Sequence, residues 1–359
     1  MPLKKMNKII NILKQKKPLP IDEFINLALY NKKFGYYMKK NPFGEDGDYI
    51  TSPLVSKLFA EMITIWCVSF WEQLDKPNKI IIAELGPGDG SLCKDFLSTA
   101  KNFKDFYNCL ELRLLEKSNK LKRIQKTKIK DKKAKWIKKI EEINNGPIIF
   151  IGNEFFDALS IKQFYIKKKL LFERYVGFNK NNKKIEFLYK KANKNLAKKI
   201  KKLQLISSGN IIEYPINAIK YLNLITKKIN KYNGGLLCFD YGYTKQKNQD
   251  TLQSISNHKY INILSDPGNC DITSHINYEL FSKFLIKNNL HVEDIISQNE
   301  FLQKLGIIDR ANILSKKVNF KTKMDMFYRL KKLLNSSEMG NIFKVLFAKK
   351  KGIKFSLGF

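Results

Sequence analysis

The sequence predicts an α/β protein built on a doubly wound, mainly parallel sheet, and two observations carry that prediction. Short apolar runs (Ile80-Ile81-Ile82-Ala83, Leu112-Arg113-Leu114-Leu115, Pro147 to Ile151, Gly235 to Phe239) alternate with helical stretches, as parallel strands covered by helices do. The first run ends in a glycine-rich turn that leads straight into a helical segment from Ser91.

Taken in order, residues 1–17 read as a basic, frayed lead-in. A first helix starts after Pro18-Leu19-Pro20, with Ile21, Phe24, Ile25, Leu27, Ala28 and Leu29 roughly on one stripe. Phe34 to Ser52, rich in Gly, Asn and Asp, reads as loop. Thr51-Ser52-Pro53 offers a hydroxyl cap followed by proline, which opens a strongly apolar, buried helix from about Pro53 to Gln73. The strand at Ile80 follows, then the helix from Ser91, the strand at Leu112, a Lys-rich helix, a third short strand at Trp136-Ile137 and a fourth from Pro147 to Ile151. Shorter alternating segments (Gln163 to Ile166, Leu170 to Val176, Lys184 to Tyr189) read as antiparallel hairpins inserted after the fourth strand. A helix near residues 216–232 precedes the fifth strand. The C-terminal third reads as largely helical up to Met339-Gly340, with Ile342 to Ala348 as the last strand. No internal repeat is evident.

Composition closes several doors. A chain of 359 residues with 43% hydrophobic and 12% aromatic residues can bury a large core and is not a disordered polyelectrolyte. No run reaches about 18 apolar residues, so a membrane-spanning helix is not expected; the longest, Met62 to Phe70, is broken by Thr64 and Ser69. The Lys-rich start lacks the apolar core of a secretory signal. The net charge of +34 invites a nucleic-acid or membrane-surface reading, but only five of the 67 basic residues are Arg. Arginine supplies the forked contacts to phosphates and bases, whereas lysine here is scattered over the whole chain. No specific nucleic-acid partner is expected, only weak binding lost between about 50 and 200 mM salt. Five cysteines without CxxC spacing (Cys67, Cys93, Cys109, Cys238, Cys270) suit free thiols in a reducing compartment. His258, His275 and His291 are too few and too far apart for a metal site.

The sharpest motif is Glu84-Leu85-Gly86-Pro87-Gly88-Asp89-Gly90. Glycines at alternate positions let the backbone turn tightly and approach a ligand, and the following helix N-terminus favours an anion. The spacing is G-x-G-x-G, not the dinucleotide G-x-G-x-x-G. An acidic residue two before the first glycine favours a ligand carrying an ammonium beside its carboxylate, as S-adenosylmethionine (SAM) does; a plain tight turn is the alternative. Glu116 closes the second strand, where an acidic residue accepts hydrogen bonds from ribose hydroxyls, or else is a surface glutamate opposite Lys117 or Lys120. After the fourth strand comes Asn153-Glu154-Phe155-Phe156-Asp157-Ala158-Leu159. Glu154 and Asp157 are three apart, so one helical turn would put both carboxylates on one side, although Asp157 could instead cap a helix. Asp240-Tyr241-Gly242-Tyr243 holds a similar position after the fifth strand.

These strings resemble the MidA-like family of class I SAM-dependent methyltransferases, whose mitochondrial members assist respiratory complex I assembly by methylating an arginine. The resemblance covers most of the chain. It rests on Gly47 to Pro53, Glu84 to Gly90, Asn153 to Leu159, Phe239 to Tyr243, Thr251-Leu252-Gln253, Asp266-Pro267-Gly268, Asp271 to His275 and Met339-Gly340. Asp89 stands where many relatives carry a basic residue, and Ser160 replaces the usual proline after NEFFDAL.

The resemblance implies a seven-stranded methyltransferase sheet with an N-terminal helical extension. Residues 1–75 would cover the cofactor site. Residues 76–359 would form the Rossmann-like SAM domain, with an insertion at about 162–215 and helical, substrate-side additions at about 244–335. Glu84, Gly86, Pro87, Gly88, Gly90, Glu116 and Asn153 are the expected cofactor-binding residues, with no metal. A guanidinium substrate stays charged and is a weak nucleophile, so carboxylates must orient it and take its proton. Glu154 and Asp157 are the first choice, with Asp240 and His275 second; His275 could equally be a satisfied structural histidine. The expected partner is a protein, such as a subunit of NADH:quinone oxidoreductase, with a homodimer allowed and no membrane insertion. The expected location is a bacterial cytoplasm, or the mitochondrial matrix in a eukaryote. A non-catalytic assembly factor on the same fold and an RNA methyltransferase are the alternative readings.

Overall fold

The computed structural model describes residues 8–39, 42, 44, 51–168, 170–203, 205, 211–245, 249–256 and 259–359. Among the described residues nine strands form the central sheet, seven of them running across it: β1 (Ile80–Leu85), β2 (Leu110–Leu115), β3 (Ala134–Ile137), β4 (Ile148–Asn153), β5 (Gly234–Tyr243), β6 (Leu290–Val292) and β7 (Phe343–Lys350), with the short strands Ile276–Asn277 and Ile296–Ser297 added beside β5 and β7. The order of the seven is β6-β7-β5-β4-β1-β2-β3. The five strands from β3 to β5 in that order are parallel, while β7 runs antiparallel to both β5 and β6. The order therefore reverses between β1 and β4, and the strand ends there open a crevice.

β1 is apolar on both faces because helices cover both. On one side Ile80, Ile82, Leu112, Ile149 and Phe239 pack under the helices Lys57–Gln73 and Ser91–Ala100. On the other, Ile81, Ala83, Phe150 and Leu236 pack under Ile216–Tyr232 and Tyr278–Lys287. The expected strands and the 216–232 helix are all present.

The inserted hairpins form a second, antiparallel sheet of Lys162–Lys167, Leu170–Asn179, Lys184–Lys191 and Ile211–Tyr214, with Leu19–Pro20 added at its edge beside Tyr175 and Val176. That edge pairing anchors the N-terminal region. The lead-in expected to fray holds a helix, Lys8–Gln15, because Ile9 and Leu13 bury against the Ile21–Tyr30 helix and Val176.

Three other local expectations change. The Pro53–Gln73 helix breaks at Ser56, whose extended backbone (φ −154°, ψ 135°) divides Ser52–Val55 from Lys57–Gln73. Ser56 caps the long helix by accepting from the Leu58 N–H at 3.2 Å, while the Thr51 hydroxyl makes no cap bond. Second, the loop stretch contains a short helix, Tyr36–Lys39; Gly47 to Ile50, like His258, lies outside the described residues. Third, the 244–335 stretch begins with a three-stranded sheet of Gln253–Ser256, Lys259–Ile261 and Asp271–Thr273. Its β-branched residues (Ile255, Ile272, Thr273) favour strand, and helices take over only from Tyr278. Among the described residues all five cysteines are free, no acid, His or Cys group could hold a metal, and no helix is long and apolar enough to cross a membrane.

Candidate cofactor cleft and carboxyl cluster

The crevice at the ends of β1, β2 and β4 is a half-open cleft. Its floor is the glycine loop. Gly86, Gly88 and Gly90 have φ of 64°, 55° and 85°, in the left-handed region that L side chains rarely enter. A Cβ on Gly86 would lie 2.9 Å from the Phe155 ring, so strand and ring can meet only at glycine. Asp89, the departure noted in the sequence, accepts from the Ser91 N–H at 3.0 Å and pairs with Lys128. It thus secures the start of the Ser91–Ala100 helix.

Glu116 is buried, so it is not the surface glutamate of the alternative reading. One oxygen accepts from the Ser118 N–H at 2.7 Å and the other from the Gln125 amide at 3.0 Å. Burial raises its pKa, and these bonds counter the rise. The same Gln125 amide also donates to the Gly88 carbonyl at 2.8 Å, and Gln125 accepts from the Trp136 indole at 2.8 Å. Gln125 therefore ties the glycine loop to the acid closing β2. Sequence reading passed over it inside a Lys-rich helix, where only its apolar neighbour Leu121, one turn earlier, marks the inward face.

Two further carboxyls point into the cleft. Burial, then the neighbouring Asp89 and Glu116 charges, pushes Glu84 up to about 8. Burial, then Asp157, pushes Glu154 up to about 8 as well. Glu154 holds φ of 51° and follows β4 directly, its N–H donating to the Phe239 carbonyl at 2.9 Å. A non-glycine residue held there marks a constrained site. Its side chain accepts from the Asn153 amide at 3.2 Å and the Ser52 N–H at 3.4 Å. The Asn153 carbonyl oxygen is buried with no partner among the described residues, an acceptor left for a ligand's N–H or O–H.

Residues 154–160 are turns, not helix, which corrects the expected helical pairing of Glu154 with Asp157. Asp157 does not line the cleft; it accepts from the Tyr241 hydroxyl and from the Ala158 N–H at 2.7 Å. Burial raises it to about 6. Asp240 is fully buried and accepts three backbone N–H groups, Phe156 at 3.0 Å, Asp157 at 3.2 Å and Tyr241 at 3.0 Å. That bonding makes it the clamp that shapes the 154–158 turn. His275 sits apart, its ring edge-on to Tyr241 at 5.5 Å and facing a smaller cavity beside Glu213 and Tyr243. Burial lowers its pKa.

The covering role expected of residues 1–75 gave no hint of which side chains would form the cleft roof. Tyr30 and Tyr37 stack with ring centres 5.6 Å apart. Tyr30 donates to the Ala158 carbonyl and Tyr37 to the Asp271 carboxylate, each at 2.9 Å. Lys117 sits over the Tyr30 and Tyr221 rings at 5.3 and 5.6 Å. No motif announces these contacts; they arise because the N-terminal helices fold back on the insertion.

A cation is the natural occupant of a cleft holding Glu84, Glu116 and Glu154. Its polar edges match a ligand with an ammonium, hydroxyls and a face to lay against tyrosine.

Comparison with known proteins agrees. A family model described as "Putative S-adenosyl-L-methionine-dependent methyltransferase" matches residues 62–296. The Xenopus laevis mitochondrial protein arginine methyltransferase NDUFAF7 is 28% identical over 94% of this chain and 83% of its own length. The Homo sapiens protein of that name is 25% identical over 92% and 80%. A Burkholderia thailandensis protein described as a "likely methyl transferase", solved bound to S-adenosyl-homocysteine, shares the fold with a TM-score of 0.81 at 19% identity, covering 97% of this chain and 92% of that one. The glycine loop, the acid closing β2 and the match across most of the sheet converge: this chain belongs to that family of S-adenosyl-L-methionine-dependent methyltransferases.

Proposed function

We propose that the chain is a protein-arginine N-methyltransferase whose substrate is an arginine in a subunit of NADH:quinone oxidoreductase, modified during assembly. The observation that carries the reading is Glu154, a carboxyl at the end of β4, facing the cofactor cleft and held by Ser52 and Asn153. The names of the mitochondrial relatives support the substrate class.

Bound SAM supplies an electrophilic methyl group on a sulfonium. The chain's own residues align the nucleophile and remove one proton, since a guanidinium that gains a methyl must shed a hydrogen to keep a single charge. Glu154 is suited to both tasks. Ionised, it holds the planar cation; with its pKa raised to about 8 in the free protein, it can also carry the proton near neutrality. Phe155, packed edge-on to Phe156 and Tyr221 at 5.1 Å, walls this end of the cleft. Asp240 and Asp157 stand behind and fix the turn. The reading places the enzyme in a bacterial cytoplasm, or in the mitochondrial matrix of a eukaryote, and includes a homodimer that light scattering would read.

Mass spectrometry of the oxidoreductase subunits from cells with and without the enzyme tests the substrate. Labelled SAM in a lysate separates protein from RNA as the acceptor. If no arginine loses methylation, the guanidinium reading falls.

Two results are expected of the cofactor site. Glu116→Ala weakens SAM and S-adenosylhomocysteine alike, because both carry the ribose, by roughly 1.5–3 kcal/mol for a charge-assisted bond. Calorimetry giving equal affinities for variant and wild type would remove Glu116 from the site.

The second concerns pH. In the free fold Glu84 and Glu154 keep their protons up to about 8, whereas unfolded glutamates ionise near about 4.3. The folded state therefore holds the extra protons, and free-protein stability falls as pH rises from about 5 to 8. A cation binds the ionised carboxylates, so stabilisation by SAM grows over that same interval. S-adenosylhomocysteine, lacking the sulfonium charge, shows a shallower rise. Scanning fluorimetry at several pH values reads both; a SAM-induced shift that shrinks with pH contradicts the assignment.

A further inference from the structure

Away from the cleft, the helices Ile307–Ser315 and Phe320–Leu334 form a hairpin. Leu330 and Leu333 are buried in the body of the protein, with Met326 and Phe327 packed against it. The hairpin's other end projects, for every residue from Lys316 to Asp325 is exposed. Along that end Phe320, Met324 and Tyr328 follow one another at four-residue intervals, 77%, 54% and 60% exposed, which places them on one stripe. Ile313 and Val318 are exposed beside the turn. Single exposed apolar residues are ordinary; a continuous aromatic and methionine stripe on a projecting tip is a contact surface.

Its rim is basic. Residues 308–332 hold eight Lys or Arg and two Asp. Arg310 pairs with Glu61 and Arg329 with Asp325. Among the described residues no salt bridge involves Lys316, Lys317, Lys321 or Lys323. Lys332 lies 4.8 Å from the Tyr328 ring centre.

We propose that this hairpin tip docks the enzyme on an anionic lipid surface. Charge selects against a second copy, which would set one lysine rim against another. Shape selects against a protein groove less sharply, but ten consecutive exposed residues make a convex tip, and a fluid bilayer moulds to such a tip without a preformed partner. In that setting Phe320, Met324 and Tyr328 enter the headgroup boundary, while the lysines extend their stems along it and meet anionic headgroups. The hairpin base is bonded toward the cleft: Gln298 donates to the Leu333 carbonyl at 3.2 Å and accepts from the Ser52 hydroxyl at 3.1 Å. The hairpin is thereby linked through Ser52 to Glu154, which accepts from the Ser52 N–H at 3.4 Å. The inference does not depend on arginine being the methylated residue.

The test is co-sedimentation of the full chain with phosphatidylcholine vesicles, with and without about 30% phosphatidylglycerol, at about 150 mM salt. Wild type should partition onto the anionic vesicles and little onto the neutral ones. The overall charge alone will draw some protein down, so the decisive comparator is the charge-preserving variant Phe320→Ser, Met324→Ser, Tyr328→Ser. It should bind roughly tenfold or more weakly while keeping SAM affinity, because three buried apolar side chains are lost. Lys321→Glu with Lys323→Glu should also weaken binding. Equal partitioning of wild type and the serine variant overturns the proposal. So does a serine variant that converts a dimer into a monomer in light scattering, or that loses only an acidic protein partner while its vesicle binding stands.

Discussion

Gly88→Val is expected to abolish measurable SAM binding in a protein that still folds. Gly88 sits at φ 55° on the cleft floor, and its carbonyl is held by the Gln125 amide at 2.8 Å. Valine disfavours that backbone region, at roughly 1–2 kcal/mol even for an unbranched side chain. Keeping the φ adds a strained, branched side chain to a residue that lines the cleft; relaxing the φ shifts the loop that the Gln125 bond ties to Glu116. Either response alters the surface against which the ligand lies. The loop is at the rim of the sheet and only partly buried, so the two core layers should tolerate the change. Calorimetric titration with SAM, beside thermal unfolding of the free variant, gives the answer. A folded variant with wild-type affinity would mean that ligand approaches some other face, and the cleft assignment would be wrong.

What made the loop legible was locality. β1, the glycine turn and the Ser91–Ala100 helix are consecutive in sequence, and glycine spacing reports directly on backbone conformation. The same holds for Glu116, because an acid at a strand end is found by counting. Gln125, Tyr30 and Tyr37 were invisible for the opposite reason. Each acts across a long separation, Gln125 on Gly88 and Tyr30 on Ala158, and nothing in Lys-Arg-Ile-Gln-Lys or Ala-Leu-Tyr announces a distant partner. The Lys8–Gln15 helix was missed because only two of its side chains, Ile9 and Leu13, are buried, and they pack against partners that include Val176 of the distant inserted sheet. The turn after β4 misled differently. The interval between Glu154 and Asp157 suits a helix, but Asp240 accepts the Phe156 and Asp157 N–H groups and bends the chain instead. A buried carboxylate from another strand overrode local periodicity.

That turn separates the roles of its two acids. Glu154→Gln keeps the size and the bonds from Ser52 and Asn153 but removes the base. SAM affinity should survive, with methyl transfer down by about 10²–10⁴, the usual contribution of a positioned acid–base group. Asp157→Asn should also spare SAM binding and reduce transfer, by positioning, since Asp157 bonds Tyr241 and Ala158 rather than facing the cleft. Its pH profile distinguishes it. The Asp157 charge helps to raise Glu154, second only to burial, so removing that charge lets Glu154 ionise at lower pH. The acidic limb of transfer should therefore move down in pH for Asp157→Asn and disappear with the activity for Glu154→Gln. Transfer rates across pH, measured with saturating SAM and the identified subunit, decide the matter. A fully active Glu154→Gln protein would remove the base from the mechanism. An Asp157→Asn protein that keeps activity but loses the acidic limb would mean that Asp157, not Glu154, carries the titration.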